Sequence, residues 1–374
     1  MDLHDLGTPS LVLDIARVRR NAARMTERAR ALGVRLRPHV KTHKCVEVAR
    51  IQTDGHGGAI TVSTLAEAAA FAAHGFTDIT YAVPIEPGKF ETALELVAKG
   101  VRLHVITDDG GVPEALDAVA REHGVTIDVF LKVDCGYHRC GVAPDGAAAL
   151  EIPGRIAGAA NLRFAGILTH AGHAYHARSR DERLAIARQE RDVMVGLAAR
   201  LRDAGTPAPV VSIGSTPTAT IIDRLEGVDE IRPGNYALFD GFQATLGSCS
   251  WEDCALTVLA AVTHRDRGRR QVILDAGAIA LSKDQGPAHL DADCGYGRVL
   301  DLGGTDLGAR VVSLSQEHGV VHTEDAAVPD RLPVGARVRV LANHSCLTAA
   351  QYGWLNVLDG DQVVDRWAIH RGWA

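Results

Sequence analysis

The strongest constraint on the fold is an alternation of two kinds of segment between Thr8 and Asp240. Short runs rich in β-branched residues alternate with Ala-, Leu- and Arg-rich segments whose apolar residues recur at helical spacing. This pattern is typical of repeated βα units around a parallel sheet. It predicts an α/β fold in which residues 8–240 form a (β/α)8 barrel of the TIM type.

The same pattern predicts where the individual elements lie. Strands are predicted at Ser10–Leu13, Arg35–His39, Ala59–Val62, Ile79–Ala82, Arg102–Ile106, Ile127–Val133, Phe164–Thr169, Val210–Ile213 and Glu230–Pro233. Helices, each followed by a glycine that can end it, are predicted at Ile15–Leu32, Thr64–His74, Lys89–Lys99, Gly111–His123 and Arg180–Ala204.

After Asp240 the long helical patterns disappear, and short apolar runs alternate with Gly, Asp and Pro turns. Such runs include Ala255–Val262, Gln271–Leu274, Arg310–Leu314 and Ala336–Leu341. Residues 241–374 are therefore predicted to form a second, mainly β domain, which residues 1–7 can join.

Composition excludes several classes of partner. The 374 residues carry a formal net charge of -6 without a basic cluster, so neither nucleic acid nor an anionic membrane surface is an expected partner. The N-terminus lacks a signal-peptide pattern, and no apolar run approaches the roughly 18 residues of a membrane span. The seven cysteines are scattered without CxxC spacing, which argues against a disulfide framework. A cytoplasmic enzyme acting on a small molecule is expected.

Lys41 is the first candidate for catalysis. It follows the predicted strand Arg35–His39, at the carboxyl rim where barrels of this type assemble their active sites. A lysine forms a Schiff base with an aldehyde when burial or neighbouring cations lower its pKa. The alternative is a solvated lysine in a polar loop.

Two glycine-containing turns after predicted strands are candidates for phosphate binding. The loop Gly214-Ser215-Thr216 and the turn Gly234-Asn235 can direct backbone N–H groups and hydroxyls towards one dianion. Each could equally be an ordinary βα turn, because Gly and Ser are common turn residues.

His344 and Cys346 are candidates for metal binding. In an extended segment, residues two apart face the same side, so an imidazole and a thiolate can bind one ion. Two ligands leave open positions, which suits catalysis. The alternative is a surface histidine beside a buried cysteine.

Seven segments in order resemble the alanine-racemase-like pyridoxal-phosphate enzymes, specifically the branch of D-serine dehydratases and D-threonine aldolases. The resemblance covers nearly the whole chain. Its segments are Thr8–Asp14, Arg37–Lys44, Lys132–Arg139, Thr169–His173, Ser212–Thr218, Arg232–Tyr236 and His344–Cys346.

The resemblance implies pyridoxal 5'-phosphate as cofactor, attached to Lys41, with Lys44, which lies further past the strand end, as the less favoured alternative. The same amine of Lys41 would also remove the α-proton of the substrate. Arg139 matches the arginine near the phenolic oxygen of the cofactor, His170 the histidine beside its ring, and Arg232 the position facing its pyridine nitrogen. Tyr175 is expected on the substrate side with His173. The remaining residues that this resemblance assigns to the cofactor are Ser212, Gly214, Ser215, Thr216, Gly234, Asn235 and Tyr236.

The resemblance also bears on the metal and on assembly. The dehydratase branch carries His-x-Cys where the aldolases usually carry His-x-Asp. A thiolate with an imidazole favours zinc, with manganese and magnesium as alternatives. The family usually forms homodimers, so a homodimer is expected.

The leading functional hypothesis is metal-assisted β-elimination of water from a D-β-hydroxy amino acid such as D-serine, giving a keto acid and ammonia. The alternative is retro-aldol cleavage of a D-threonine or 3-hydroxyaspartate type of substrate to glycine and an aldehyde. An amino-acid racemase and a non-catalytic protein that binds pyridoxal phosphate are further alternatives.

Overall fold

The structure is a computed structural model that describes residues 1–373 and contains two compact units. The barrel unit comprises residues 24–41, 52–234 and 371–373. The β unit comprises residues 1–23, 42–51 and 235–370. The domain boundary at residue 240 stays a prediction.

The strands belong to two sheets. In chain order they are β1 (Ser10–Asp14), β2 (Arg35–Leu36), β3 (Ile60–Val62), β4 (Asp78–Pro84), β5 (Arg102–Thr107), β6 (Ile127–Lys132), β7 (Leu162–Leu168), β8 (Val211–Ile213), β9 (Glu230–Ile231), β10 (Leu256–Asp266), β11 (Gln271–Leu274), β12 (Gly297–Leu300), β13 (Asp306–Leu314), β14 (Gly319–Thr323), β15 (Arg337–Ala342), β16 (Trp354–Asp359) and β17 (Gln362–Ala368).

The helices include the five that the sequence predicts and several shorter ones. They are α1 (Ile15–Ala31), α2 (Val46–Thr53), α3 (Leu65–Ala72), α4 (Phe90–Ala98), α5 (Val112–His123), α6 (Ala148–Gly158), α7 (Arg180–Asp203), α8 (Thr216–Ala219), α9 (Gly241–Thr245), α10 (Ala278–Leu281), α11 (Val328–Arg331) and α12 (Ser345–Ala349). Helix α5 ends as predicted, because Gly124 takes the left-handed conformation at its C-cap. The sequence missed α6, whose interior proline, Pro153, interrupts the helical pattern.

The barrel unit contains an eight-stranded sheet in the order β2-β9-β8-β7-β6-β5-β4-β3, and every pairing is parallel. A parallel bridge between His39 and Thr61 joins the two edge strands and closes the sheet. The predicted α/β barrel is therefore confirmed.

Ion pairs fill the base of the barrel at the N-terminal ends of its strands. Arg37 lies 2.7 Å from Glu230 and 2.5 Å from Asp78, and His104 lies 3.1 Å from the same aspartate. Asp78 and Glu230 are the first residues of β4 and β9, and Arg37 directly follows the short strand β2, whereas barrel enzymes carry their chemistry at the carboxyl ends of the strands. We therefore interpret these ion pairs as contributing to the stability of the fold.

The β unit contains a nine-stranded, mostly antiparallel sheet in the order β11-β14-β13-β12-β15-β10-β1-β16-β17. Strand β1 lies between β10 and β16 in this sheet, so its predicted place among the barrel strands is wrong. Leu11, Val12 and Leu13 are fully buried. A strand buried on both faces shows a continuous apolar run, which is also the pattern of a barrel strand, and sequence alone does not distinguish them.

No helix among residues 1–373 combines the length and the apolar character needed to cross a bilayer.

Candidate functional site

Lys41 lies at the carboxyl rim of the barrel, in a 3-10 turn, Val40–Thr42, that follows β2. The bridge between His39 and Thr61 holds the chain just before this turn. The backbone N–H of Lys41 donates to Nδ1 of His39 at 3.5 Å, and Lys41 itself is half-buried. The closed barrel therefore places this amine at the expected rim, while its role stays a prediction.

Positive charges surround His170, which follows β7. Burial lowers the pKa of His170 well below its ordinary value, and the charges of Lys41 and Arg139 lower it further. Its Nδ1 lies 3.3 Å from the carbonyl oxygen of Gly214. The imidazole is thus neutral, and the cations around it suit a cofactor that carries a phosphate and a phenolate.

Tyr137, which the sequence did not single out, packs against three predicted site residues. Its ring centroid lies 5.2 Å from the Arg139 guanidinium, 6.2 Å from the His170 ring and 6.4 Å from the His173 ring. A side chain at Gly172 would overlap the tyrosine ring, so this approach requires glycine. The tyrosine ring is therefore a common packing partner of all three side chains.

His173 is the polar side chain in this group that is available to a ligand. Neither of its ring nitrogens has a hydrogen-bond partner among residues 1–373, although both are buried. Burial also lowers its pKa, which favours the neutral imidazole. Buried polar atoms of this kind are rare in folded proteins and fit a bound molecule.

Ser212 and Arg232 take part in a buried network within the barrel. Arg232 donates to the hydroxyl of Ser212 and to the carbonyl of Thr169, and that hydroxyl donates to Glu230 at 2.6 Å. Burial lowers the pKa of Arg232 to about 10, against the opposing charges of Glu230 and Glu190. Ser212 and Arg232, both predicted to contact the cofactor, therefore form hydrogen bonds with other groups of the protein.

The Gly214-Ser215-Thr216 loop is bonded mainly within the protein. Ser215 caps α8 through a reciprocal pair of hydrogen bonds with Thr218. The N–H of Gly214 donates at 3.0 Å to Oε1 of Glu190, which also accepts from the N–H of Ala171 at 2.9 Å. Glu190 thus joins the loop after β8 to the loop after β7. The phosphate role of this loop stays a prediction.

The turn after β9 is divided between the two units, because Gly234 belongs to the barrel unit and Asn235 to the β unit. The side-chain amide of Asn235 donates to Asp240 at 2.7 Å and to Ser345 at 3.1 Å. The same amide lies 3.7 Å from the sulfur of Cys346. Its side chain is therefore directed at the predicted metal segment.

The two tyrosines that the resemblance assigns to the site lie in 3-10 turns. Tyr175 is half-buried in the turn Gly172–His176 after β7. Tyr236 is fully buried in the turn Asn235–Ala237 of the β unit. Contacts of either tyrosine with a cofactor stay predictions.

His344 and Cys346 lie close together, but not in the extended segment that the sequence reasoning assumed. His344 is the N-cap residue of α12, and Cys346 is in the first turn of that helix. The hydroxyl of Thr42, the residue after Lys41, lies 3.4 Å from the cysteine sulfur. A cap followed by one helical turn therefore brings the two ligands to one side, and the assumed strand geometry is wrong.

The charges of this pair favour an imidazolium and a thiolate in the absence of metal. Although burial lowers the pKa of His344, its hydrogen bonds with Asp284 and Cys346 raise it to about 11. Burial raises the pKa of Cys346, but the hydrogen bond and the charge of His344 lower it to a net value below the ordinary one. A thiolate is the form of cysteine that binds metals.

Whether these residues fit a metal depends on the donor set. Among residues 1–373, no group of three or more His, Cys, Asp and Glu side chains is arranged to bind an ion. His344 and Cys346 supply two ligands with a carboxylate behind the imidazole, an arrangement common at metal-binding histidines. The pair therefore fits an ion whose other positions are open to water or substrate.

Sequence reasoning missed four residues of the site. Three of them lie outside the segments that carry the resemblance, while the fourth, Tyr137, lies within Lys132–Arg139, and all four gain their roles through contacts with other parts of the chain. They are Tyr137, Glu190, Asp240 and Asp284.

Comparisons with known proteins identify family models and curated proteins that are similar to this chain. Residues 13–240 match the family model described as "Alanine racemase, N-terminal domain", and residues 255–358 match "Putative serine dehydratase domain". Similar curated proteins include the D-threo-3-hydroxyaspartate dehydratase of Delftia sp. (strain HT23), at 43% identity over 98% of both chains. The D-serine dehydratase of Dictyostelium discoideum is 34% identical over 100% of this chain and 98% of its own.

Solved structures are similar over the full length. D-threo-3-hydroxyaspartate dehydratase from Delftia sp. HT23 superposes with a TM-score of 0.95 at 42% identity, covering 100% of both chains. A cysteine-to-alanine variant of that enzyme in the metal-free form has the same TM-score and identity, and a histidine-to-alanine variant has a TM-score of 0.96.

Proposed function

The chain belongs to the alanine-racemase-like family that includes the D-threo-3-hydroxyaspartate and D-serine dehydratases, and we propose that it removes water from a D-configured β-hydroxy amino acid. The proposed cofactors are pyridoxal 5'-phosphate and a divalent metal ion. D-threo-3-hydroxyaspartate and D-serine are the proposed substrates, and their products would be a keto acid and ammonia.

One observation carries this proposal: His344 and Cys346 adjoin each other with Asp284 behind the histidine. In the dehydratase that is 42% identical, the substituted histidine and cysteine are likewise two positions apart, and the cysteine variant is in the metal-free form. Water is eliminated only if the β-hydroxyl leaves, and a metal ion bound here would supply Lewis acidity to that oxygen. We propose zinc, because thiolate and imidazole are its preferred ligands, with manganese and magnesium as alternatives.

Lys41 is the residue that we propose for removal of the proton from the α-carbon of the substrate. Bound pyridoxal phosphate supplies an electron sink for the charge that develops there. The Nζ of Lys41 would carry the cofactor and then accept the α-proton of the substrate. Arg139 would bind an anionic group of the cofactor, while the neutral His170 would present its ring without adding a positive charge.

The loops around Lys41 are held rigidly enough to orient a substrate. Glu190 ties the backbone of Ala171 to that of Gly214 through one carboxylate oxygen. Tyr137 packs against both Arg139 and His173, and the unpaired ring nitrogens of His173 can bind a polar substituent of the substrate. Fixed polar groups of this kind orient a reactant without reorganising during the reaction.

The test separates elimination from aldol cleavage by their products. Purified holoenzyme is incubated with D-threo-3-hydroxyaspartate, D-serine and D-threonine, before and after chelation, and ammonia, keto acid, glycine and aldehyde are measured together. Keto acid with ammonia, lost on chelation, would support the proposal. Glycine with an aldehyde would contradict it and favour the aldolase, an activity named for relatives at 31% and 30% identity. Inversion of substrate configuration or no turnover at all would contradict both.

Variants of the metal ligands provide the matched comparison. His344→Ala and Cys346→Ala should each lose keto acid formation while the absorbance of the bound cofactor persists. His322→Ala, which removes a 39% exposed histidine of the same unit, should retain activity. Equal retention of keto acid formation in all three variants would contradict a catalytic role for His344 and Cys346.

We also propose a homodimer and a cytoplasmic location, as the sequence leads us to expect. Sedimentation equilibrium of the holoenzyme would test the dimer, since a single species at the mass of one chain would contradict it. Localisation of a tagged chain in its native host would test the compartment.

A further inference from the structure

We infer that Asp284 is a positioning residue that sets the metal affinity of His344. This inference rests on the proposed function, because it assumes that His344 binds the ion. It concerns a residue of a loop between α10 and β12 that has no motif in the sequence.

Asp284 contacts one particular atom of the histidine ring. Its Oδ2 lies 2.5 Å from Nδ1 of His344. An imidazole releases the proton of one ring nitrogen when that nitrogen binds a metal, and a carboxylate at Nδ1 favours keeping the remaining proton on that atom. The lone pair is then on Nε2, where a metal ion can bind it, and the ring is held in one orientation.

The carboxylate is itself held in place. Its other oxygen, Oδ1, accepts from the N–H of Gly286 at 2.8 Å, and its own N–H donates to Ser282 at 3.3 Å. Each oxygen of Asp284 thus has a separate partner. The aspartate is therefore already oriented before a metal binds.

The residues on both sides of His344 are anchored as well. Asn343 donates through its side chain to the carbonyls of Gln285 at 2.9 Å and Gly295 at 3.0 Å, so it clamps the loop that carries Asp284. On the other side, the N–H of Ser345 donates to Asp240 at 2.9 Å. His344 is thus held in place by the anchored backbone on both sides and by the contact of its ring with Asp284. Its side chain therefore loses little conformational freedom when metal binds.

The solvent exposure of Asp284 and His344 allows a role in metal binding to be distinguished from a role in stability. The side chains of Asp284 and His344 are 36% and 28% exposed, so their ion pair should contribute little to global stability. Removal of a carboxylate behind a metal-binding histidine typically weakens metal affinity about 10- to 100-fold. Loss of affinity without loss of stability would therefore identify a positioning role.

The experiment measures zinc binding directly, without reference to turnover. Metal-stripped full-length protein is titrated with zinc in competition with a chromophoric chelator, and its melting temperature is recorded. Asp284→Ala should weaken the zinc Kd about 10- to 100-fold. Asp284→Asn should lie between Asp284→Ala and the wild type, because its amide oxygen can still accept from Nδ1. Asp293→Ala, in the same loop and exposed, is the matched control and should bind as the wild type does.

Cobalt provides an independent readout. With cobalt in place of zinc, the thiolate absorption band should persist in Asp284→Ala at saturating metal, since Cys346 remains, but should titrate at higher cobalt concentration. A zinc Kd for Asp284→Ala within about 2-fold of the wild type would overturn the inference. If His344→Ala still loses zinc in that case, the proposed metal site stands. If the wild type and His344→Ala bind zinc with the same Kd, the inference and the proposed metal site both fail.

Discussion

Glu190 provides the sharpest test of how the site is held together. This residue of α7 is fully buried, and its Oε1 accepts from the N–H groups of Ala171 and Gly214 at 2.9 and 3.0 Å. Glu190→Ala would leave both donors without an acceptor in a buried position. Each unsatisfied group costs about 1–3 kcal/mol, so the variant should lose about 2–6 kcal/mol of unfolding free energy.

Urea unfolding of cofactor-free protein measures this loss, and the same helix offers a matched control. Glu182 also accepts a backbone N–H, that of Arg178 at 2.8 Å, but it does so at the surface. In Glu182→Ala, water can replace the lost acceptor, so the expected loss is below about 1 kcal/mol. If the two variants differ by less than about 1 kcal/mol, the reasoning about buried donors is refuted.

The charge of Glu190 adds a dependence on pH. Burial raises the pKa of Glu190 above its ordinary value, so folding favours the protonated form. The corresponding stability is fully present below the unfolded pKa of about 4.3 and is lost as the pH rises through the folded pKa. Glu190→Gln keeps an oxygen acceptor and cannot ionise, so its stability relative to the wild type should increase as the pH rises above about 4.3. Parallel stability curves between pH 4 and 8 would refute this interpretation.

Two further predictions concern the cofactor lysine and the barrel base. Borohydride reduction followed by peptide mass spectrometry should find cofactor on the peptide that contains Lys41. The Lys41→Ala protein should carry no cofactor, whereas the Lys44→Ala protein should retain it. Cofactor attached to Lys44 would contradict the assignment. At the base, burial raises the pKa of Asp78, but its hydrogen bonds with His104 and Arg37 and their charges hold that pKa well below its usual range. Its stabilising effect is therefore present above about pH 4 and lost as the pH falls, so the difference between the wild type and Asp78→Asn in urea should shrink below about pH 4.

The sequence determined the architecture because helical and strand periodicities are local. The alternating segments predict the parallel barrel, and the turn-rich C-terminal part predicts the second sheet. Lys41 could be predicted at the barrel rim because the end of a barrel strand can be recognised from the strand itself. His344 and Cys346 could be proposed as metal ligands because their side chains have that chemistry, although the local backbone differs from the one assumed.

The tertiary structure alone decided which sheet contains β1. Leu11 to Leu13 read as an apolar strand in either sheet, and only the hydrogen bonds offered by β10 and β16 place them in the β unit. The supporting residues of the site depend on contacts of the same long-range kind. Glu190 and Asp284 are ordinary acidic residues in the sequence, and they acquire roles only where folding brings distant N–H groups or an imidazole to their oxygens. Local patterns encode which elements form and which residues carry reactive groups, whereas the partners that orient those groups come from distant parts of the chain.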